Sequence, residues 1–251
     1  MKDFVTWYSS TMKKSVVIIT HNEALSIKKC IQSILEQTIP ADEIVVVVHN
    51  STDNTLNIVK SFSDPTIIID DYRGPSGIIH ARLRGIAQAT GDVIFCIDGD
   101  TFAQKNWIET LNKNLENTHV SLAGSSVVVS GTFFWMIGSP LNRLFGYLDS
   151  NKTGWVWGAS FAFRSKHKEQ VLQFLEDSIQ VTKILGMNRN PDDYWLALNM
   201  QTLGQVAYTT KTKVFAKSKQ LTTRECFARN RSDVANGKKM LGYFKKIKNL
   251  T

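Results

Sequence analysis

The first hundred residues alternate short apolar runs with segments of helical period, and this alternation is the tightest constraint on the fold. Val16–Thr20, Ile44–Val48, Thr66–Ile69 and Val93–Ile97 are apolar runs of strand length. Between them, Ala24, Ile27, Cys30, Ile31, Ile34 and Leu35 recur at helical spacing. So do Leu56, Ile58, Val59 and Phe62, and then Ile78, Ile79, Ala81, Leu83, Ile86 and Ala87. Strands buried on both faces and joined by helices call for a parallel sheet with right-handed crossovers. No Gly-x-Gly-x-x-Gly follows the first run and no Gly-Lys-Ser/Thr loop occurs. A dinucleotide dehydrogenase and a P-loop phosphotransferase are therefore disfavoured.

The fourth run ends in Asp98-Gly99-Asp100. Ligands of open α/β sheets collect outside the carboxyl ends of the strands. Two carboxylates there, with no basic residue between Asp92 and Lys105, repel each other unless a cation lies between them. Hard oxygen ligands suit Mg²⁺ or Mn²⁺ bridging to substrate phosphates. An Asp-Gly turn with solvated carboxylates explains such a tripeptide in isolation; its place after a buried strand argues for the site.

Later segments are less periodic. Gln104–Leu115 reads as a helix and Val120–Ser130 as a long strand. Phe133–Ile137 and Leu141, Leu144, Phe145 and Leu148 read as core or as a partner-facing surface. Gly154–Arg164 is strand-like, with tryptophans able to stack on a sugar or to serve as core. Pro191-Asp192-Asp193 opens a helix that Gly204 closes, and acids in a first turn favour the helix dipole. Gln205–Tyr208 and Lys213–Phe215 read as a strand pair.

With 43% hydrophobic residues, the 251-residue chain can bury the core of one large α/β domain. Its longest apolar run, near Val127–Ile137, is broken by Ser130, Gly131 and Thr132 and is too short to span a bilayer. Met1–Lys14 has no apolar leader region. Cys30, Cys96 and Cys226 are far apart and read as reduced core residues. The expected place is the cytoplasm. The net charge is +8, and after Lys211 the only acids are Glu225 and Asp233. Such a tail attracts anionic lipid, phosphorylated substrate or nucleic acid, or is a solvated helix face.

Taken in order, these motifs resemble the family-2 nucleotide-sugar glycosyltransferases with the GT-A fold, from about Ser15 to about Gly237. Val16–Glu23 resembles that family's first strand and Asn-Glu turn. Ser51-Thr52-Asp53-Asn54-Thr55 resembles its Ser-Thr-Asp loop. Ala81-Arg82 with Gly85, then Ala89–Asp92, resembles the helix leading into its DXD strand, and Asp98-Gly99-Asp100 holds the DXD position. Gly158-Ala159 with Ala162-Phe163-Arg164 resembles an acceptor-side segment, and Asp192-Asp193 with Leu196 and Gly204 resembles the Glu-Asp motif.

The resemblance implies one GT-A domain over 1–251, a mainly parallel central sheet flanked by helices. Residues 15–103 form a nucleotide-binding half, 104–220 an acceptor-binding half and 221–251 a basic helical segment. It implies an inverting, metal-dependent transfer of one sugar from a nucleoside-diphosphate sugar to an acceptor hydroxyl. Donor contacts fall to Thr20, Asn22, Glu23, Asn50, Asp53, Arg82, Asp98, Gly99, Asp100, Arg229 and Arg231. Mn²⁺ or Mg²⁺ is held by Asp98 and Asp100. Asp193, or in second place Asp192, is the general base, and Trp157, Gly158 and Ala159 face the acceptor. A UDP-sugar is the favoured donor, with Val48 and His49 standing where relatives carry an acid that pairs with uracil. The implied acceptor is a glycan or lipid-linked glycan of envelope assembly, and nucleic acid is not a partner. Separately, basic and apolar residues interleave over Lys238–Lys246, which is compatible with a peripheral contact of the basic C-terminus at the inner face of a membrane. The Gln-x-x-Arg-Trp motif of processive synthases is absent. Two other readings remain open: a sugar-phosphate nucleotidyltransferase, and a non-catalytic module binding anions or membrane.

Overall fold

In the computed structural model the described residues are 12–130, 156–217 and 223–248, the side chains of 129–130, 217 and 223–234 excepted. The apolar stretch 133–148 and Trp155 lie outside them, as do the side chains of Cys226, Arg229 and Arg231.

Four strands make the first half of the sheet: β1 (Lys14–Thr20), β2 (Glu43–His49), β3 (Ile67–Tyr72) and β4 (Val93–Asp98). They run parallel in the order β3-β2-β1-β4. Every residue of β1 and β2 is buried, whereas the edge strand β3 is half-buried. The helices between them are α1 (Ile27–Leu35), α2 (Thr55–Lys60) and α3 (Ile78–Gln88).

The pleat sends alternate side chains to opposite faces. Val16 and Ile18 meet Ile27, Ile31 and Ile34 of α1, together with Trp107 and Leu111 of α4 (Trp107–Glu116). Val17 and Ile19 meet Ile79 and Ile86 of α3 on the other side. Gly85 lets α3 lie directly on the sheet, since a β-carbon there would overlap Val17. The helix is entered from Gly77 at φ 124°.

The second half of the chain extends the same sheet in a mixed sense. The strands β5 (Thr101–Ala103), β6 (Val120–Ser130), β7 (Ser160–Arg164) and β8 (Gln205–Lys217) complete the order β4-β7-β6-β8-β5. β7 is antiparallel to both β4 and β6, while β6 and β8 are parallel. The expected strand pair at 205–215 is thus one strand, interrupted where the register jumps from Ser125–Thr209 to Ser126–Lys213. A short 3-10 turn (Ser165–His167), α5 (Lys168–Ile184) and α6 (Asp192–Met200) cover this half, and α7 (Thr223–Lys248) closes the described chain.

Candidate active site

The loops leaving β1 and β2 are latched together by short polar side chains. Asn22 adopts φ 54°, and its Oδ1 accepts from the Thr52 (2.8 Å) and Asp53 (3.3 Å) amides. Asp53 in turn accepts from the amides of Thr55 (3.0 Å) and Ala24 (3.0 Å), and Thr55 Oγ accepts from Glu23 N–H at 2.8 Å. Asn50, at φ 47°, donates to Gly74 O (2.8 Å) and accepts from Gly74 N–H (3.2 Å), which ties β2 to the turn after β3. Asn and Asp suit this work because they tolerate left-handed backbone and bond to nearby amides. His49 is buried, its ring stacked on Tyr72 at 5.3 Å with Nε2 at 2.9 Å from Pro75 O.

A cleft of about 290 Å³ opens above these loops. Thr20, His21, Glu23, His49, Asn50, Ser76, Gly77, Asp98, Gly99 and Asp100 line it. The two carboxylates therefore share a cleft with the loops expected to hold the nucleotide. Gly99 is required there, because a β-carbon would lie 2.7 Å from Thr20 Cβ.

Beneath the cleft lies a buried arginine. Arg82 is 2% exposed and stands on the apolar face of α3, between Ile79 and Ile86 in the turns around it. Its Nη1 donates to Asp192 Oδ2, and its Nη2 to Asp98 Oδ1 (3.1 Å) and Gly158 O (3.2 Å). The guanidinium also lies 5.7 Å over the Phe161 ring, and its Nε is a buried donor without a partner. Burial works against its charge, but Asp192 and Asp98 outweigh it and hold the group firmly protonated.

Asp193 sits beyond Gly158. Its Oδ2 accepts from Gly158 N–H (3.0 Å) and its Oδ1 from Tyr194 N–H (2.8 Å). A β-carbon on Gly158 would approach Arg82 to 3.2 Å and Asp193 Cβ to 3.4 Å, so only a glycine fits comfortably. Burial first, then the charge of Asp192, push Asp193 up to about 7. Burial also lifts Asp98 to about 6; Arg82 opposes this, while Asp100 and Asp192 add to it. Asp192 is 6% exposed and turned to Arg82, whereas Asp193 is half-buried.

The structure thus brings together Thr20, Glu23, Asn50, Asp98, Gly99 and Asp100 around the cleft, and Arg82, Asp192, Asp193 and Gly158 just beneath it. Asn22 and Asp53 act within the loops. Trp157 and Ala159 are half-buried on either side of Gly158. Arg229 and Arg231 fall on α7, where side chains are outside the described residues. His21, Ser76 and Gly77 line the cleft and were not singled out from sequence.

Among the described residues no group of three or more His, Cys, Asp or Glu is placed to hold a metal. Asp98 and Asp100 nonetheless form a fitting donor set for a hard dication. They are two carboxylates lining one cleft, burial and then the charge of Asp100 raise Asp98, and Mg²⁺-type ions bind such oxygens with water and phosphate completing the shell.

The model of glycosyl transferase family 2 matches residues 15–193. The chain belongs to that family. Within it, glycosyltransferase AglE of Haloferax volcanii is 34% identical over 119 residues, covering 45% of this chain and 38% of its own. A glucosyl-dolichyl phosphate glucuronosyltransferase of the same organism is 31% identical over 170 residues, covering 61% and 53%. The chain spans about half the length, or less, of these curated relatives. Among solved structures, the mannosyltransferase PcManGT of Pyrobaculum calidifontis, in complex with GDP-Man and Mn²⁺, aligns at a TM-score of 0.58 and 22% identity. It covers 84% of this chain and 59% of its own. TarS of S. aureus aligns at 0.56 and 18%, covering 82% and 60%. These likenesses establish the GT-A fold, and the comparisons favour neither a nucleotidyltransferase nor a binding module.

Proposed function

We propose that this family-2 member transfers one sugar from a nucleoside-diphosphate sugar to an acceptor hydroxyl with inversion at the anomeric carbon. The observation that carries the reading is the sharing of Arg82: one guanidinium holds Asp98 at the cleft and Asp192 beside Asp193. Donor acids and base are thereby set on neighbouring sides of one buried charge.

The loops latched by Asn22, Asp53 and Asn50 hold base and ribose. Thr20, Glu23 and Asp100 line the path of the diphosphate. Asp98 and Asp100 are the residues to hold Mn²⁺ or Mg²⁺, whose chemistry there is neutralisation of the leaving diphosphate. The complex of PcManGT with Mn²⁺ supports that choice. Asp193 takes the proton of the acceptor hydroxyl as its oxygen bonds to the anomeric carbon and the bond to the diphosphate breaks. Asp193 is preferred over Asp192 because its carboxylate is oriented by amides and raised in basicity, while Asp192 is engaged by Arg82. Arg82 is thus a positioning residue in place of a donor contact. Trp157, Gly158 and Ala159 form the acceptor side, and Arg229 and Arg231 remain candidates to meet the diphosphate. The relative from Haloferax volcanii, a glucosyl-dolichyl phosphate glucuronosyltransferase, supports a lipid-linked acceptor.

The test is transfer and donor hydrolysis with UDP-sugars first and GDP-sugars second, with Mn²⁺, on wild type and Asp100→Asn. Activity in the wild type and its loss in a folded Asp100→Asn variant are expected. Full activity in that variant overturns the reading.

A further inference from the structure

The described side chains of α7 divide it into two unlike faces. Met240 is buried and Tyr243, Phe244 and Ile247 are half-buried around Trp195 of α6, with Val181 of α5 in the same cluster. Phe244 meets the Trp195 ring edge-on at 5.8 Å, and Tyr243 lies 6.3 Å from it. On the opposite side Lys238, Lys239, Lys245 and Lys246 are exposed. Seven residues make nearly two turns, so the two lysine pairs share one stripe, about 10 Å apart along the axis. Gly242 is exposed between them and Ala235 just before them, and nothing lies within 4 Å of where a Gly242 β-carbon would be. No Asp or Glu follows Asp233 in the chain. Four ammonium groups therefore form a stripe to which the helix itself adds no acid and, between the pairs, no bulky side chain.

We propose that this stripe docks the protein on an anionic lipid bilayer. The proposal deepens the transferase reading and rests on it for its purpose: α6, which carries Asp192 and Asp193 in its first turn, then lies one helix layer from the headgroups, about 8–10 Å away, near a lipid-borne acceptor. Charge complementarity selects this occupant. Lysine is a compact, hydrated point charge suited to a diffuse anionic plane, whereas nucleic-acid sites add arginine forks or stacking aromatics, and among the described side chains the stripe carries neither. Attachment is electrostatic without insertion, because the apolar side of α7 is occupied by Trp195 and its neighbours. Each lysine near such a surface strengthens partition about five-fold, so four strengthen it up to about 10³-fold at moderate salt.

The test is co-sedimentation of the full chain with phosphatidylcholine vesicles, with and without phosphatidylglycerol. The variant replaces Lys238, Lys239, Lys245 and Lys246 together by Gln, and a second variant replaces all four by Arg. Wild type and the Arg variant are expected on anionic vesicles alone, released by high salt. The Gln variant is expected to lose about 10²–10³-fold while keeping its melting temperature. Equal partition of wild type and the Gln variant overturns the proposal, and so does tighter binding of a DNA duplex than of anionic vesicles. Vesicle binding is read without substrate, so it stands or falls separately from the transfer assay.

Discussion

A guanidinium that is 2% exposed is tolerable only with its counter-charges in place. Asp98 and Asp192 supply them from β4 and α6, elements that are not neighbours in sequence. Arg82→Met leaves the buried Asp192 and the part-buried Asp98 without their counter-charge and is expected to cost about 3–5 kcal/mol, a fall of roughly 10 °C in melting temperature for a chain of this size. Adding Asp192→Leu should recover part of the loss, since removing both partners is milder than removing one. Calorimetric scans of the three proteins check this. Asp193 carries a second expectation. Its folded value, about 7, exceeds the ordinary aspartate value near 4. Across that interval the folded chain keeps a proton the unfolded chain has released, so the stabilising contribution is present at low pH and lost as pH rises through about 7. The same deprotonation prepares the base, so kcat should climb with pH across this midpoint. Asp193→Asn should lower kcat by about 10²–10⁴-fold and flatten the pH dependence of the melting temperature.

At the scale of elements, α7 is a brace for α6. Trp195 is its contact point, and Gly237 lies 3.7 Å from the Tyr194 ring where a β-carbon would sit. Trp195→Ala is expected to lower stability by about 3–5 kcal/mol and to reduce kcat more than donor affinity, because the first turn of α6 holds Asp193. Melting curves and separate kcat and donor KM values test both. A truncation after Gly237 removes the same packing, so it is unsuited to isolating the basic stripe. The four parallel strands were legible because each is an unbroken apolar run between helix-period segments. The start of α6 was legible from Pro191-Asp192-Asp193. β5 was not, because Thr101–Ala103 becomes a strand only through its partner Phe215 and neighbours in β8. α5 was passed over because its buried residues Val171, Leu175, Ser178 and Val181 are sparse among polar ones. The hub role of Arg82 had a signal, a charge on the apolar face of α3, but its partners Gly158 and Asp192 come from distant parts of the chain and only the fold brings them in.

Over the whole molecule, one continuous eight-stranded sheet among the described residues joins the parallel first half to the mixed second half through the β4–β7 pair. No helix among the described residues is long and apolar enough to cross a membrane. A ligand that binds the native chain raises its melting temperature. UDP or GDP with Mn²⁺ should therefore raise it, by about 2.7 kcal/mol of stability at a hundredfold excess over Kd, and Asp98→Asn with Asp100→Asn should abolish the Mn²⁺-dependent part; an equal shift in that double variant would count against the metal assignment. The latches among Asn22, Asp53, Asn50 and Gly74 carry one more consequence. A mouth already clasped open before any guest arrives has little left to arrange, so nucleotide capture should proceed in a single fast phase, its affinity undiminished by the entropy of ordering loops.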